Sequence, residues 1–587
     1  MNRIISFIEN KIMAALILAV CILFTLSIWE KMIADDAMSL GRAAVQALTL
    51  DAPEEGFTLY LRFVINVTLA WAVIRVYIAS VGLSFDRLVA SRLSRDHVVI
   101  IAEGDVIDYS ALQIGRNHFY LAYDLALTTA VTSNVVFVAP SITDDKRMSL
   151  WNAGVKVLDY QKDLQKLLSQ AGALRAKILV SMRSDLDENI AICRVALSSK
   201  YASQSLKVFC QIPTQGERRR FNPEFYFDSE TLVRFRSFNE SQMIARDLLQ
   251  QFPPDAMTTP LDDAPIHIGL FGFGEIGQAI VEQLARIGHY RNGKKPIVSI
   301  FAKDLDSQWE FVLQELPAIV DWLDIRCYDC SEKSDFSIDN QCINTMTRAY
   351  ICHVNEVINL RLSKALVDLQ LGGLTDERSG FDIVAIDPLG GMILEDFWVT
   401  GNHNGRFHLY SLGRRRMTQV QIGSSLLTED TDRRARSLHN AYVEKELAKL
   451  GAENSLPLAS FVKPWDELPE NIRDTNRRVA DHFEVKVRAI GCILASVDCG
   501  DEIELTASEL EILAIMEHRR WWADRALNGW KYGAKRQDAQ KIHPNMVAYE
   551  VLSEADKQKD RDFVIEVIDI FRHEGMVIAR DDRASVI

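Results

Sequence analysis

The chain has 587 residues, with 66 Lys and Arg against 80 Asp and Glu and a formal net charge of −14. That length suits three or four domains, and the acid excess excludes nucleic acid as the main partner, because phosphate binding needs a basic surface. Nine cysteines in a chain read as mostly cytoplasmic predict free thiols instead of a disulfide framework. Cys327 and Cys330 have C-x-x-C spacing, but no second tight pair accompanies them, so no metal site is expected.

Residues 12–29 form an 18-residue stretch without a charge, long enough as a helix to span a ~30 Å hydrocarbon core. A second apolar stretch, 63–85, is broken once, at Arg75. Arg3 and Lys11 precede the first stretch and Arg87, Arg92 and Arg95 follow the second, while the segment between them is acidic. The positive-inside bias then predicts two transmembrane helices with both termini and the soluble bulk cytoplasmic, in the inner membrane of a prokaryote. Between them Ala43 to Asp51 is apolar at helical spacing, preceded by Gly41 and followed by Pro53. This stretch resembles the pore helix and loop of potassium-type channels, but the filter glycines are replaced by Leu50 to Glu55. Gln46, Thr49, Asp51, Glu54 and Glu55 are the candidate pore-loop residues, and a ring of the acids would favour cations. The same stretch also reads as an amphipathic linker that conducts nothing. Arg75 either faces a pore or a neighbouring subunit, or snorkels to the cytoplasmic side.

From His97 the chain alternates strands and helices, the pattern of a parallel sheet covered on both faces. His97–Ala102, Asn134–Ala139, Val155–Leu158 and Ala176–Val180 read as strands, the last leading into Asp185, Asp187 and Asn189. This order resembles an RCK domain, the cytoplasmic nucleotide-binding regulator of potassium channels and transporters, over about residues 95 to 245. Only Gly104 follows its first strand, so this unit reads as a degenerate site with a structural or assembly role. A second unit keeps the glycines. Ile266–Phe271 is a strand, Gly272-Phe273-Gly274-Glu275-Ile276-Gly277 follows, and a helix runs from Gln278 to Ile287. Gly272 suits the tight turn, Gly274 a close approach to pyrophosphate and Gly277 helix–strand packing, with phosphate at the helix N-terminus. Asp304, or Asp306 beyond it, is placed to take a ribose hydroxyl. The alternative is a relic turn that binds nothing. This unit also resembles an RCK domain, over about residues 264 to 390, which implies NAD or another adenine nucleotide as ligand.

The last stretch carries Glu517-His518, Trp521, Arg525, Gly529-Trp530, Tyr532-Gly533, His543-Pro544, Tyr549, Leu552, Glu554 and Asp560-Arg561. The series resembles the ryanodine-receptor (RyR) repeat domain across about residues 505 to 580. Trp465, Leu468, Glu470, Arg473, Asn476 and Arg477 match Tyr549, Leu552, Glu554, Lys557, Asp560 and Arg561 at an offset of 84. Residues 430–492 therefore read as a first copy lacking the G-W-x-Y-G loop. Glu517, His518, Trp521, Arg525, Trp530 and Tyr532 form a candidate cleft for a planar anion, since rings stack and arginine bonds phosphate. The bland alternative makes the tryptophans core residues.

These readings assemble into an α/β chain with four parts: a membrane region (1–94), a degenerate RCK-like Rossmann unit (95–262), a second unit with the glycine motif (263–428) and a mainly α tandem RyR-like repeat (429–587). No nucleophile elbow, Walker loop or metal helix is present, so no enzymatic reaction is expected. The expected function is a ligand-gated, cation-conducting membrane effector, homo-oligomeric and tetrameric in preference to dimeric, governed by a small-molecule nucleotide. A non-conducting membrane-anchored sensor or scaffold is the alternative, and an anchored NAD-dependent oxidoreductase a more distant one.

Overall fold

The structure is a computed structural model. It describes residues 94–104, 119–198, 205–256, 263–330, 340–353, 355–371, 380–387, 406–411, 432–452, 462–498 and 502–580. Two six-stranded sheets organise the α/β part. The first contains β1 (His97–Ala102), β2 (Val135–Ala139), β3 (Lys156–Asp159), β4 (Ala176–Met182), β5 (Lys207–Gln211) and β6 (Phe235–Phe238). Its order is β3-β2-β1-β4-β5-β6. Its helices are α1 (Phe119–Thr129), α2 (Asp144–Asn152), α3 (Leu164–Gln170), α4 (Leu186–Leu197), α5 (Gln215–Arg220), α6 (Ser229–Leu232) and α7 (Glu240–Gln251).

The second sheet contains β7 (His267–Phe271), β8 (Ile297–Ala302), β9 (Asp324–Asp329), β10 (Arg348–Ile351), β11 (Asp382–Asp387) and β12 (Phe407–Ser411), in the order β12-β11-β10-β7-β8-β9. Its helices are α8 (Glu275–Ile287), α9 (Leu305–Glu315), α10 (Asn340–Thr345) and α11 (Glu356–Leu371). Both orders are those of the doubly wound dinucleotide fold. β7 pairs with β10 in parallel, Phe271 opposite Ile351, so the order reverses between these strands and leaves a crevice at their carboxyl ends. Strands such as β1, β2 and β11 are near-continuous, fully buried apolar runs because both sheet faces are covered there, whereas the edge strand β9 is mostly exposed.

The C-terminal region is built from α12 (Arg433–Ala452), α13 (Glu470–Ala489), β13 (Cys492–Ser496), α14 (Ala507–Leu527), β14 (Lys531–Tyr532), β15 (Ile542–His543), α15 (Glu554–His573) and β16 (Met576–Arg580). The described residues fall into two compact units. One holds β1 to β3 and β4 as far as Val180; the other holds α4, β5, β6 and everything from the second sheet onward. Within that second unit one apolar core joins Leu248 of α7, Leu284 of α8 and Ile300 of β8 to Val485, Met516 and Leu527. A second core unites Leu438, Trp465, Phe483, Leu513, Val564 and Phe571.

The expected fold class is corrected in two respects. Among the described residues no helix is long and apolar enough to cross a membrane. The stretches 12–29 and 63–85 lie outside the described residues, and the two-helix membrane part is not retained. The C-terminal region, moreover, is not all helix: a β-ribbon and a short strand pair accompany the four long helices α12 to α15. Gly491 and Gly575 follow α13 and α15 with φ of 69° and 76°, a left-handed conformation that ends a helix. The apolar runs after them pair as an antiparallel ribbon, with Leu494 opposite Ile578. One local device does recur: His439 Nε2 meets Lys463 O at 2.6 Å and His518 Nε2 meets Val547 O at 2.8 Å.

Candidate ligand sites

The glycine turn is shaped by backbone contacts. Gly272 has φ of 106°, a value side chains disfavour, and a Cβ there would lie 3.1 Å from His353 N. A Cβ on Gly277 would collide with the Gly272 carbonyl oxygen, whereas one on Gly274 would meet nothing within 4 Å. Gly274 is the N-cap of α8 and supplies no side-chain cap. The turn is held from beneath by Cys352, whose thiol donates to Gly272 O at 3.1 Å and is pushed up to about 12 by burial. Asn359 fixes the opposite lip: its Oδ1 accepts His353 N at 3.0 Å, while its Nδ2 donates to His353 O at 2.7 Å and Ile386 O at 2.9 Å. Asn189 uses the same arrangement after β4, accepting from Arg183 N and donating to Arg183 O and Gln211 O.

Asp304 stands two residues beyond β8, exposed, with φ of 53° at the N-cap of α9. Its carboxylate makes no hydrogen bond or ion pair among the described residues. Glu275, in the first turn of α8, accepts Gln215 N at 2.6 Å. An adenine nucleotide such as NAD fits this arrangement: backbone approaches without obstruction at Gly274, a helix N-terminus faces the crevice, and a carboxylate follows the neighbouring strand.

The second candidate site is divided by the structure into supports and an open face. Glu517 is buried and belongs to the supports. Burial alone would raise its carboxyl, but Arg520 and Lys486 outweigh that and hold it well below the usual range; each lies 2.7 Å away. His518 is 2% exposed; its Nδ1 lies 3.2 Å from Asp560 while Nε2 faces Val547 O. It stacks behind Trp521, with ring centroids 5.7 Å apart.

Trp521, Arg525 and Trp530 make the open face. The Arg525 guanidinium lies 4.6 Å from the Trp530 ring centroid and 5.9 Å from that of Trp521. It makes no ion pair or hydrogen bond among the described residues, although Arg478, Arg520 and Arg536 nearby are all paired. Burial lowers its pKa, Asp524 opposing and Arg536 adding to the effect. The G-W-x-Y-G loop has a structural cause at both ends. Gly529 has φ of 83°, and a Cβ on Gly533 would collide with Ile542. The loop pairs as β14 with β15, Tyr532 opposite His543, which leaves the Tyr532 ring 63% exposed.

His543 completes this face and lies outside the residues expected from sequence, although its H-P pair is part of the sequence motif. Its ring meets Trp521 edge to face at 4.9 Å. Its Nδ1 accepts Asn545 N at 3.1 Å, so Nε2 is left to donate. Burial, then Arg536 and Arg525, lower its pKa. Two indoles, an imidazole donor and an unpaired guanidinium suit a flat ring carrying negative charge. Among the described residues no group of three His, Cys, Asp or Glu is placed to hold a metal. Cys327 and Cys330 are free thiols at the exposed edge strand β9. Gln46, Thr49, Asp51, Glu54, Glu55 and Arg75 lie outside the described residues.

The structure also contains a buried ionic network that, apart from the i,i+4 pair of Glu282 and Arg286, no local sequence pattern announces. Asp524 receives Arg286 of α8 at 3.0 Å and Arg478 of α13 at 2.5 Å. Asp481 receives Arg246 at 2.7 Å and Gln283 at 3.0 Å. Glu282 receives Arg218, Arg219 and Arg286.

The RyR domain family model matches residues 503–580, and no curated protein matches the chain. Among solved structures, GsuK bound to ADP is similar at 16% identity, covering 73% of this chain and 98% of its own, with a TM-score of 0.34. The GsuK channel is similar at 14% identity, with 73% and 83% covered and a TM-score of 0.34. A dipicolinate synthase chain from Bacillus halodurans shares 10% identity over 57% of this chain and 96% of its own, with a TM-score of 0.21. At such TM-scores none of these likenesses bears on function.

Proposed function

We propose that the chain is a non-catalytic ligand sensor that binds a nucleotide or nucleotide-derived messenger. An adenine nucleotide is read by the Gly272–Gly277 turn with Asp304, and a planar anion by the RyR-type cleft of Trp521, Arg525, Trp530 and His543. The observation that carries this reading is Arg525. A guanidinium held between two indoles, in a region where other arginines have carboxylate partners, is a charge reserved for something outside the chain. Homo-oligomeric assembly belongs to the same proposal, and native mass spectrometry reads it.

Calorimetric titration of the full-length protein with ADP tests the reading. Wild type should bind. Arg525→Ala should remove the cleft component, lowering affinity there by about 10- to 100-fold, as expected for losing a hydrogen bond to a charged group. Gly274→Glu should remove the turn component, because the added side chain meets no obstruction yet sets a carboxylate against the phosphate. Absence of ADP binding by wild type would reject the proposal for adenine nucleotides.

A further inference from the structure

α8 begins at one candidate site and ends against the other. Its N-cap is Gly274 of the glycine turn, and it runs 13 residues to Ile287, a length of about 20 Å at helical rise. Nearly every residue from Gly277 to Ile287 is buried, so the helix shifts as a body or not at all. Its last turn is fixed to the C-terminal region by charge. Arg286 donates to Asp524 at 3.0 Å, and Gln283 donates to Asp481 at 3.0 Å. The chain just beyond the helix is fixed as well, with His482 Nε2 facing His289 O at 3.1 Å and Arg519 donating to Gly293 O. Asp524 is the residue before Arg525. The carboxylate faces α8 and α13 while the neighbouring guanidinium lies between Trp521 and Trp530.

We infer that α8 is a coupling element: a nucleotide seated on the Gly272–Gly277 turn repositions the Arg525 clamp through Arg286 and Asp524, so the two sites do not bind independently. This rests on the nucleotide reading of the turn. Partial displacement is opposed most strongly at Arg286 and Asp524, since separating a buried, hydrogen-bonded ion pair leaves an uncompensated charge. A small shift at the turn is therefore carried to α14 in preference to being absorbed within α8. Coupling is reciprocal, so the cleft ligand changes nucleotide affinity by the same factor, about fivefold or more if typical of coupled sites.

Hydrogen exchange on full-length Arg525→Ala, with and without ADP, tests this, because that variant confines ADP to the turn. ADP should slow exchange across residues 272–278 and also change it across 528–543. Adding Arg286→Lys keeps the buried charge but shortens its reach; it should keep the first effect and lose the second, with a melting curve confirming the fold. A protected turn with an unchanged 528–543 segment would overturn the coupling and leave the nucleotide reading standing. A remote change that survives Arg286→Lys would overturn the Arg286 route. No change at either segment would overturn the nucleotide reading and the coupling together.

Discussion

The glycine turn and the Arg525 cleft solve recognition in opposite ways. The turn is made of absence: Gly272 is needed for its positive φ, a Cβ on Gly277 would collide with the Gly272 carbonyl, and Gly274 leaves open space. The cleft is made of side chains at half-buried positions, held from behind by Glu517 and His518, which never reach the open face. A backbone site is specified within six residues of sequence. A side-chain site depends on partners far along the chain, such as Lys486 for Glu517 and Val547 for His518, and is correspondingly easier to damage from a distance.

The largest effect should come from the network behind the cleft. Asp481→Ala leaves Arg246 with only its longer contact to Asp432, at 3.4 Å, takes the acceptor from Gln283, and should cost about 3 kcal/mol in denaturant unfolding. A loss under about 1 kcal/mol would mean that the network is solvated.

Acid should act next. Burial, then Arg519 and Arg520, press His289 down to about 3, and burial with Lys486 lowers His482 well below its usual value. In the unfolded chain both titrate near 6.5. Between those limits the unfolded state binds more protons, so this contribution is complete above pH 6.5 and is lost as pH falls toward 3. Unfolding free energies from urea titrations at pH 7.5 and pH 5 should differ by roughly 2 kcal/mol through His289, with His482 adding in the same direction. Replacing His289 with Gln should remove the His289 share of that difference.

At the turn, Gly277→Ala should destabilise by about 1–3 kcal/mol through overpacking. Gly274→Ala should stay within about 0.5 kcal/mol, since it meets no atom and its φ of −70° suits alanine. Equal effects would mean that the turn relaxes and its geometry is not fixed by contact.

Arg525→Ala should change stability little, by about 0.5–1 kcal/mol for an exposed-to-half-buried cation–π contact. Its effect belongs in ligand affinity. Thermal melts beside titrations separate the two.

The same contrast explains what is legible in the sequence. The strand, glycine turn and helix at 266–287 are readable because local spacing determines them, and the G-W-x-Y-G series because its glycines have local causes. The role of Glu517 is not readable. As a carboxylate beside a histidine it suggests ligand chemistry; Arg520 is its i+3 neighbour on α14, but only the fold brings Lys486 onto it. His543 carries a weak signal in its H-P pair, but its place against Trp521 follows from the pairing of β14 with β15 across the intervening loop. The ribbon of β13 and β16 escapes a sequence reading because each strand is a short apolar run after a long helix, and such runs do not announce a partner.

The central claim is that Arg525 waits for a charged, flat ligand. Tryptophan fluorescence, titrated with ADP and with adenosine on Gly274→Glu, which closes the turn, and on Gly274→Glu with Arg525→Ala added, tests it most directly. The account predicts that Gly274→Glu binds ADP at least about tenfold more tightly than adenosine, and that adding Arg525→Ala abolishes the difference. Equal affinity for the two ligands in Gly274→Glu, or an unchanged preference once Arg525→Ala is added, would contradict it.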